Sequence, residues 1–432
     1  MSVLQEKLKL NKQLVKSATE AGFLGPKEIQ ARTLSRIAGG QDLIAIAPEG
    51  AGKTSTYVLA VLNRLKHGLE EAPRALILVP SKEKAEEVTA RFELLNKNKT
   101  IRIKTAFAGP SLEAQMDDIL EGADVVVATP DRARAIYLKL GLNLNKILMF
   151  VLDDAELIVK QGLQLPVAEL ANSIRNCQHL VFSEVLHDRL EKMIAPFMKQ
   201  AAVIEVEELG ETSVDTVSQV LYNVPNFKTK INLLQLLTGD SELFTKTIVF
   251  VNTRLSAEKI YQSLMPGLRK ETAVLNPINY ETQDIAFVKD FLENPQYRIL
   301  LVANESNANL DLNGIPFIIH FDLPEEKEVY ISRIIKSEEE PESETLAITF
   351  STDLELSIVK KIEQAVGKKM ELSPLPEELL IVRESEDPKE KSKVKSVEEP
   401  RGDAFHTKKA GNSKDYNYGA GLKAKMTKKK KY

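Results

Sequence analysis

A chain of 432 residues with 43% hydrophobic side chains is long enough for two packed domains and apolar enough to core both. Its longest apolar runs, such as ILMFVL at 147–152, are too short to cross a membrane, and MSVLQEKLKLNKQ at the start lacks the apolar centre of a secretory signal. The single Cys177 excludes an internal disulfide and fits a cytoplasmic protein, while the histidines at 67, 179, 187, 320 and 406 lack the spacing of a His/Cys metal cluster.

Charge is unevenly spread. The net value is −4, yet Arg401 and nine lysines face only Asp403 and Asp415 in residues 401–432, so this segment carries +8 and the remainder −12. Any polyanion contact is expected to concentrate at that basic end.

In chain order, short continuous apolar runs alternate with helical patterns. The first half holds LIAIAP (43–48), ALILVP (75–80), VVVATP (125–130), MFVLDD (149–154), LVFSEV (180–185) and AVIEV (202–206). The second holds VLYNVP (220–225), TIVFVNT (247–253), TAVLNP (272–277), RILLVAN (298–304), FIIHFDLP (317–324) and TLAITF (345–350). Unbroken apolar runs are the pattern of strands buried on both faces, and TSTYVLAVLNRLKHGL or LSAEKIYQSLMPGL has helical spacing. Strand and helix alternating twice over predicts two α/β domains with parallel sheets. The expected boundaries are 1–206 for the first, 207–216 for a linker, 217–378 for the second, and 379–432 for a disordered charged linker and basic tail.

The strongest motif is AIAPEGAGKT, which lies between a predicted strand and a predicted helix. Gly50, Ala51 and Gly52 let backbone N–H groups curl around phosphates at a helix start. Lys53 then reaches the outer phosphates, and Thr54 offers a hydroxyl to Mg²⁺. Ala47 stands where the strict eight-residue form has glycine. An acidic cluster, Asp153, Asp154 and Glu156, follows the apolar run FVL as a second candidate for chemistry beside a nucleotide.

GFLGPKEIQ, AIAPEGAGKT, VPSKEKA, VVVATPDRA, VLDDAE and FSEV, followed by TIVFVNTRLSAEKI, RILLVANESNANLDL and FIIHFDLPEEKEVYISRI, come in one order. Over residues 1 to about 375 the chain resembles the DEAD-box ATP-dependent RNA helicases. The resemblance implies two tandem RecA-like domains, with ATP and Mg²⁺ as cofactors and RNA as the partner. It also implies roles for single residues. Phe23 and Gln30 match the adenine-recognition motif, although Phe23 also reads as a core residue and Gln13 stands where that motif has another aromatic. Asp153 matches the acid on the Mg²⁺ side. Asp154 stands for the glutamate that activates water, one methylene shorter. Pro80, Lys82, Gly109, Thr129, Pro130 and Arg132 match RNA-backbone contacts, and Asp311 matches a ribose contact.

Departures gather in the second half. NESNANLD (304–311) lacks the Arg-Gly of its motif. In SRIIKSEE, Arg333 is kept, Lys336 stands for the second arginine and Glu339 for the third, with more glutamates through 344. Glu156 replaces the last acid of the DEAD motif, and Glu184 of Ser183-Glu184-Val185 reads as a solvated charge. The expectation is therefore an RNA-remodelling protein with reduced ATP hydrolysis. The alternatives are a pseudohelicase that holds nucleotide and RNA as a scaffold without turnover, and an interaction module without nucleotide; a protein partner is compatible with each. Lys428, Lys429, Lys430 and Lys431, near Phe405, Tyr416 and Tyr418, are candidate RNA contacts or merely solubilising charge.

Overall fold

The computed structural model describes residues 8–23, 25–65, 67, 71–207, 214–278, 284–285, 287–306, 310–336 and 345–382. The basic tail, the glutamates at 338–344 and most of the expected linker lie outside the described residues.

The apolar runs of the first half form one parallel sheet. Its strands are β1 (Leu43–Ile46), β2 (Ala75–Leu78), β3 (Ile103–Ala106), β4 (Val125–Ala128), β5 (Met149–Leu152), β6 (Gln178–Ser183) and β7 (Ala202–Glu205), in the spatial order β3-β4-β2-β5-β6-β1-β7. The runs are continuous because both faces are covered. Ile44, Ile46, Leu76, Leu78, Phe150 and Leu152 pack into one helical layer, and Leu43, Ala45, Ala75, Ile77, Met149 and Val151 into the other. Alternation by face survives inside a stretch with no polar residue to reveal it.

Crossover helices begin where side chains can take up free backbone N–H groups. After β2, Ser81 Oγ accepts from Lys84 N and starts α4 (Lys82–Leu95); the earlier helices are α1 (Lys12–Glu20), α2 (Glu28–Ala38) and α3 (Lys53–Arg64). Pro130, at the first turn of the helix Pro130–Leu138, has no N–H to leave unpaired.

A second parallel sheet contains β8 (Ser218–Asn223), β9 (Thr247–Val251), β10 (Thr272–Leu275), β11 (Asp284–Ile285), β12 (Ile299–Ala303), β13 (Phe317–His320), β14 (Leu346–Ser351) and β15 (Glu371–Leu372). Its order is β11-β10-β12-β9-β13-β14-β8-β15. Leu379 is buried in the second core, and Val382 O accepts from Asn226 Nδ2, so packed chain continues through residue 382. Residues 1–382 form one compact unit. The helix Leu356–Val366 of the second half lies against the first, with Lys360 Nζ 2.9 Å from Glu205 and Leu354 packed on the first core. Among the described residues no helix is long and apolar enough to cross a membrane.

Candidate functional site

Neighbouring strands β5, β6 and β1 deliver their carboxyl ends to one place. Beyond β1 the chain turns sharply: Gly50 and Gly52 have φ of +81° and +98°, in the region L side chains resist. A Cβ on Gly52 would also lie 3.1 Å from Lys27 Cδ and 3.4 Å from Gln30 Nε2. The helix α3 starts at once after Gly52 with no side-chain cap, so its first N–H groups remain for an anion. Lys53 is 7% exposed; its Nζ donates to the loop's own carbonyls at Ala47 (2.8 Å) and Pro48 (3.2 Å). The ammonium is also 3.7 Å from Glu184.

The acids after β5 are not alike. Asp153 is fully buried, and its Oδ2 accepts from Tyr57 Oη (2.7 Å) and Thr54 Oγ1 (3.2 Å), while Oδ1 accepts from Asp154 N. Burial raises its pKa, Asp154 adds to the rise, and the Lys84 ammonium opposes it. Asp154 sits at φ +46°, ψ +52°, a left-handed conformation that turns the chain into the next helix, and its carboxylate is 3.0 Å from Lys84 Nζ. Glu156 accepts from Ser183 Oγ and from Glu184 N. Burial first, and then Asp154, push Glu156 up to about 7.

Glu184 differs from the sequence expectation: it is not solvated but 7% exposed. It is held between Lys53 at 3.7 Å and Lys361 at 3.6 Å, because the second half covers the end of β6. Burial raises its pKa, and the two lysines pull the other way.

These groups open on a cleft of about 730 Å³, a size suited to a nucleotide. Phe23, Gln30, Lys53, Thr54, Asp154 and Glu156 line it from the first half, and Ser357 and Lys361 from the second. Phe23 is half-buried and also packs on the first core, while Gln30 Oε1 is occupied by the N–H of Lys27. Lys361, which the sequence reading passed over, is 3.0 Å from Glu49 in the phosphate loop.

Arg333, Lys336 and Asp311 are elsewhere. The Arg333 guanidinium lies 3.6 Å from the Phe250 ring centre and donates to Asn304 Oδ1 at 2.8 Å, with the residue 6% exposed. Burial pushes its pKa down to about 10, so it stays charged at neutral pH. Lys336 Nζ is 4.0 Å from Asp215, and exposed Asp311 accepts from Asn313 N.

The candidate RNA residues cluster on the adjoining strands. Pro80 follows β2, Gly109 (φ +127°) follows β3, and Thr129 and Pro130 follow β4; these three strands are neighbours. Arg132 donates to the carbonyls of Phe107 (3.0 Å) and Pro110 (2.6 Å), which holds the loop around Gly109. Lys82 Nζ lies 5.5 Å from the centre of the Phe107 ring. Thr129 Oγ1 is buried without a hydrogen-bond partner among the described residues. Lys428, Lys429, Lys430 and Lys431 lie outside the described residues.

A glycine-turned phosphate loop after the first strand, a lysine within it and a buried acid two strands away form an anion-binding arrangement in the first of two RecA-like domains. The sequence pattern of the DEAD/DEAH box helicases matches residues 27–193, within the first domain. It is 26% identical over 368 residues to the ATP-dependent RNA helicase eIF4A of Kluyveromyces lactis, covering 85% of this chain and 91% of the relative. It is 27% identical over 372 residues to the ATP-dependent RNA helicase DeaD of Buchnera aphidicola, covering 85% of this chain but 60% of that longer relative. Among solved structures, a DEAD box protein from the hyperthermophile Methanococcus jannaschii aligns over 85% of this chain and 98% of its own, with TM-score 0.47 and 20% identity.

Proposed function

We propose that this chain binds ATP in the cleft and RNA across the adjoining strand ends, as a cytoplasmic RNA-remodelling protein with slow hydrolysis. The observation that carries the reading is the asymmetry of the cleft. The phosphate loop and acids of one wall are in place, whereas the opposite wall contributes Lys361 and, among the described residues, no arginine.

The roles follow from the chemistry. N–H groups of Gly50, Ala51 and Gly52 and of the start of α3 would receive phosphate oxygens, with Lys53 exchanging the Ala47 and Pro48 carbonyls for them. Thr54 and Asp153, an adjacent hydroxyl and buried carboxylate, are the oxygen donors Mg²⁺ would use on this wall, once Lys84 and the Tyr57 hydroxyl release the carboxylate. Mg²⁺ would neutralise charge on the outer phosphates. Asp154 would orient the attacking water and accept its proton, and Gln30 and Phe23 would select and stack on the base. Asp311, Arg333 and Lys336 lie away from the cleft, so the ribose and triphosphate contacts expected of them would require rearrangement of the second domain. Lacking an arginine finger costs on the order of 10³ to 10⁵ in kcat in other nucleotide hydrolases.

Pro80, Lys82, Gly109, Thr129, Pro130 and Arg132 would position the RNA backbone, aided by Lys428 to Lys431 of the tail. The burial of Arg333 against Phe250 specifically favours a second reading, a nucleotide-holding scaffold without turnover. Phosphate release with and without RNA, measured for wild type and Lys53→Ala, separates the two. RNA-stimulated release absent from the variant supports hydrolysis. Calorimetric ATP binding without release above the variant supports the scaffold, and no binding heat rejects both. Deleting 401–432 should weaken RNA binding and flatten its salt dependence.

A further inference from the structure

We propose that Lys84 is a built-in counter-cation for Asp153 and Asp154, filling the position of divalent charge so that the cleft takes nucleotide without requiring Mg²⁺. The inference rests on the nucleotide reading above and concerns the same site.

The placement is built into the fold. Strands β2 and β5 are paired, with Leu78 opposite Leu152, so the residues that follow each strand lie side by side. Ser81 caps α4 by accepting from the backbone N–H of Lys84, which fixes the helix start beside the acids. The side chain is 19% exposed, and its Nζ is 3.0 Å from Asp154 Oδ2, 3.7 Å from Asp153 Oδ2 and 3.4 Å from Glu87 Oε2. Lys84 thus contacts both members of the acidic pair at once and lines the cleft.

The oxygens of Asp153 are already engaged. Oδ2 takes hydrogen bonds from Tyr57 and Thr54, and Oδ1 from the N–H of Asp154. Mg²⁺ demands near-octahedral oxygen ligation at about 2.0–2.1 Å and dehydrates reluctantly. A cation arriving beside Asp153 and Asp154 meets an ammonium within direct contact of both carboxylates, and like charges oppose its entry. Lys84 meanwhile supplies positive charge and N–H donors toward the place where phosphate oxygens would lie. It is a compact, rotatable point charge, suited to turning between carboxylate and phosphate.

The test compares nucleotide affinity in Mg²⁺ and in EDTA. A fluorescent ADP analogue is titrated into the full chain, for wild type, Lys84→Leu and Lys84→Gln, with circular dichroism as the folding control. Wild-type affinity should change by less than about threefold on removing Mg²⁺, whereas either folded variant should lose about tenfold or more in EDTA and recover in Mg²⁺. A wild type that loses as much as the variants overturns the proposal. A second measurement uses Mn²⁺ without nucleotide, with free ion read by electron paramagnetic resonance. Lys84→Gln should take up Mn²⁺ at concentrations that leave wild type unbound, and equal uptake overturns the counter-cation role. If wild type binds no nucleotide in either buffer, the nucleotide reading itself fails. The Mn²⁺ arm then still decides whether Lys84 holds the metal's position.

Discussion

The two RecA-like domains share a parallel architecture but differ in what their charged residues face. In the first, Lys53, Lys84, Asp154 and Glu156 line an open cleft. In the second, Arg333 is turned inward between Phe250 and Asn304, while Lys336 lies beside Asp215 and Asp311 is exposed, away from the cleft. One domain presents its charges to a cleft, whereas in the other the arginine is an internal fastening. A cation–π contact and a hydrogen bond from a charged donor together stabilise by about 2 kcal/mol or more when desolvated, so releasing Arg333 toward a triphosphate carries that cost.

The largest expected effect breaks the first domain's side of the contrast. Lys53→Ala should lower phosphate release by 10²-fold or more, to the background of the assay, since its charge is the cleft's reach toward the outer phosphates. Retained release would place the chemistry elsewhere. Asp154→Glu sharpens the contrast in the opposite direction. Restoring one methylene should raise kcat by up to about 10²-fold if the shortened carboxylate limits the rate. An unchanged kcat would mean that the second domain alone is limiting.

A third test uses pH. Glu156 is raised to about 7 by burial and by Asp154, from an ordinary value of 4.5. Between those values the folded chain holds a proton that the unfolded chain releases. The contribution is therefore fully present below pH 4.5 and is lost as pH rises through 7. Its full size is on the order of 3 kcal/mol. Urea melts at pH 5 and pH 8 should show wild type losing stability with rising pH and Glu156→Gln losing distinctly less. An equal loss in both would assign the slope to Asp153, whose pKa burial also raises.

Arg333→Ala addresses the other domain. Because the guanidinium is sequestered, kcat should change by less than about threefold while stability falls by about 2 kcal/mol, read as a lower melting temperature. A large loss of kcat at unchanged stability would show that Arg333 swings into the cleft during turnover.

Much of this was legible in the residues, and what was not has physical causes. Runs such as ALIL and MFVL announced strands buried on both faces, and GAGKT announced the turn that only small residues permit. Lys84 was not legible, because its contact with Asp153 and Asp154 depends on β2 and β5 being neighbours although β3 and β4 separate them in sequence. Glu184 read as solvated because a strand end usually is. Its burial comes from the helix Leu356–Val366, more than 170 residues away. The inward turn of Arg333, on the helix Lys327–Ile334, likewise needs Phe250 of β9, about 80 residues earlier.

The smallest effect tests the seam between the two domains. Lys361 reaches from the helix Leu356–Val366 to Glu49 at 3.0 Å and Glu184 at 3.6 Å, bridging the second domain to the phosphate loop. Its side chain is 41% exposed, so the contact is screened and worth no more than about 1 kcal/mol. If the bridge competes with an entering nucleotide, Lys361→Ala should raise ATP affinity by about two- to fivefold in low salt. The gain should shrink above about 0.3 M salt, where the Debye length falls to several ångströms. If instead Lys361 itself contacts phosphate, the same substitution lowers affinity. The sign measured by calorimetry across a salt series decides which wall of the cleft this lysine serves.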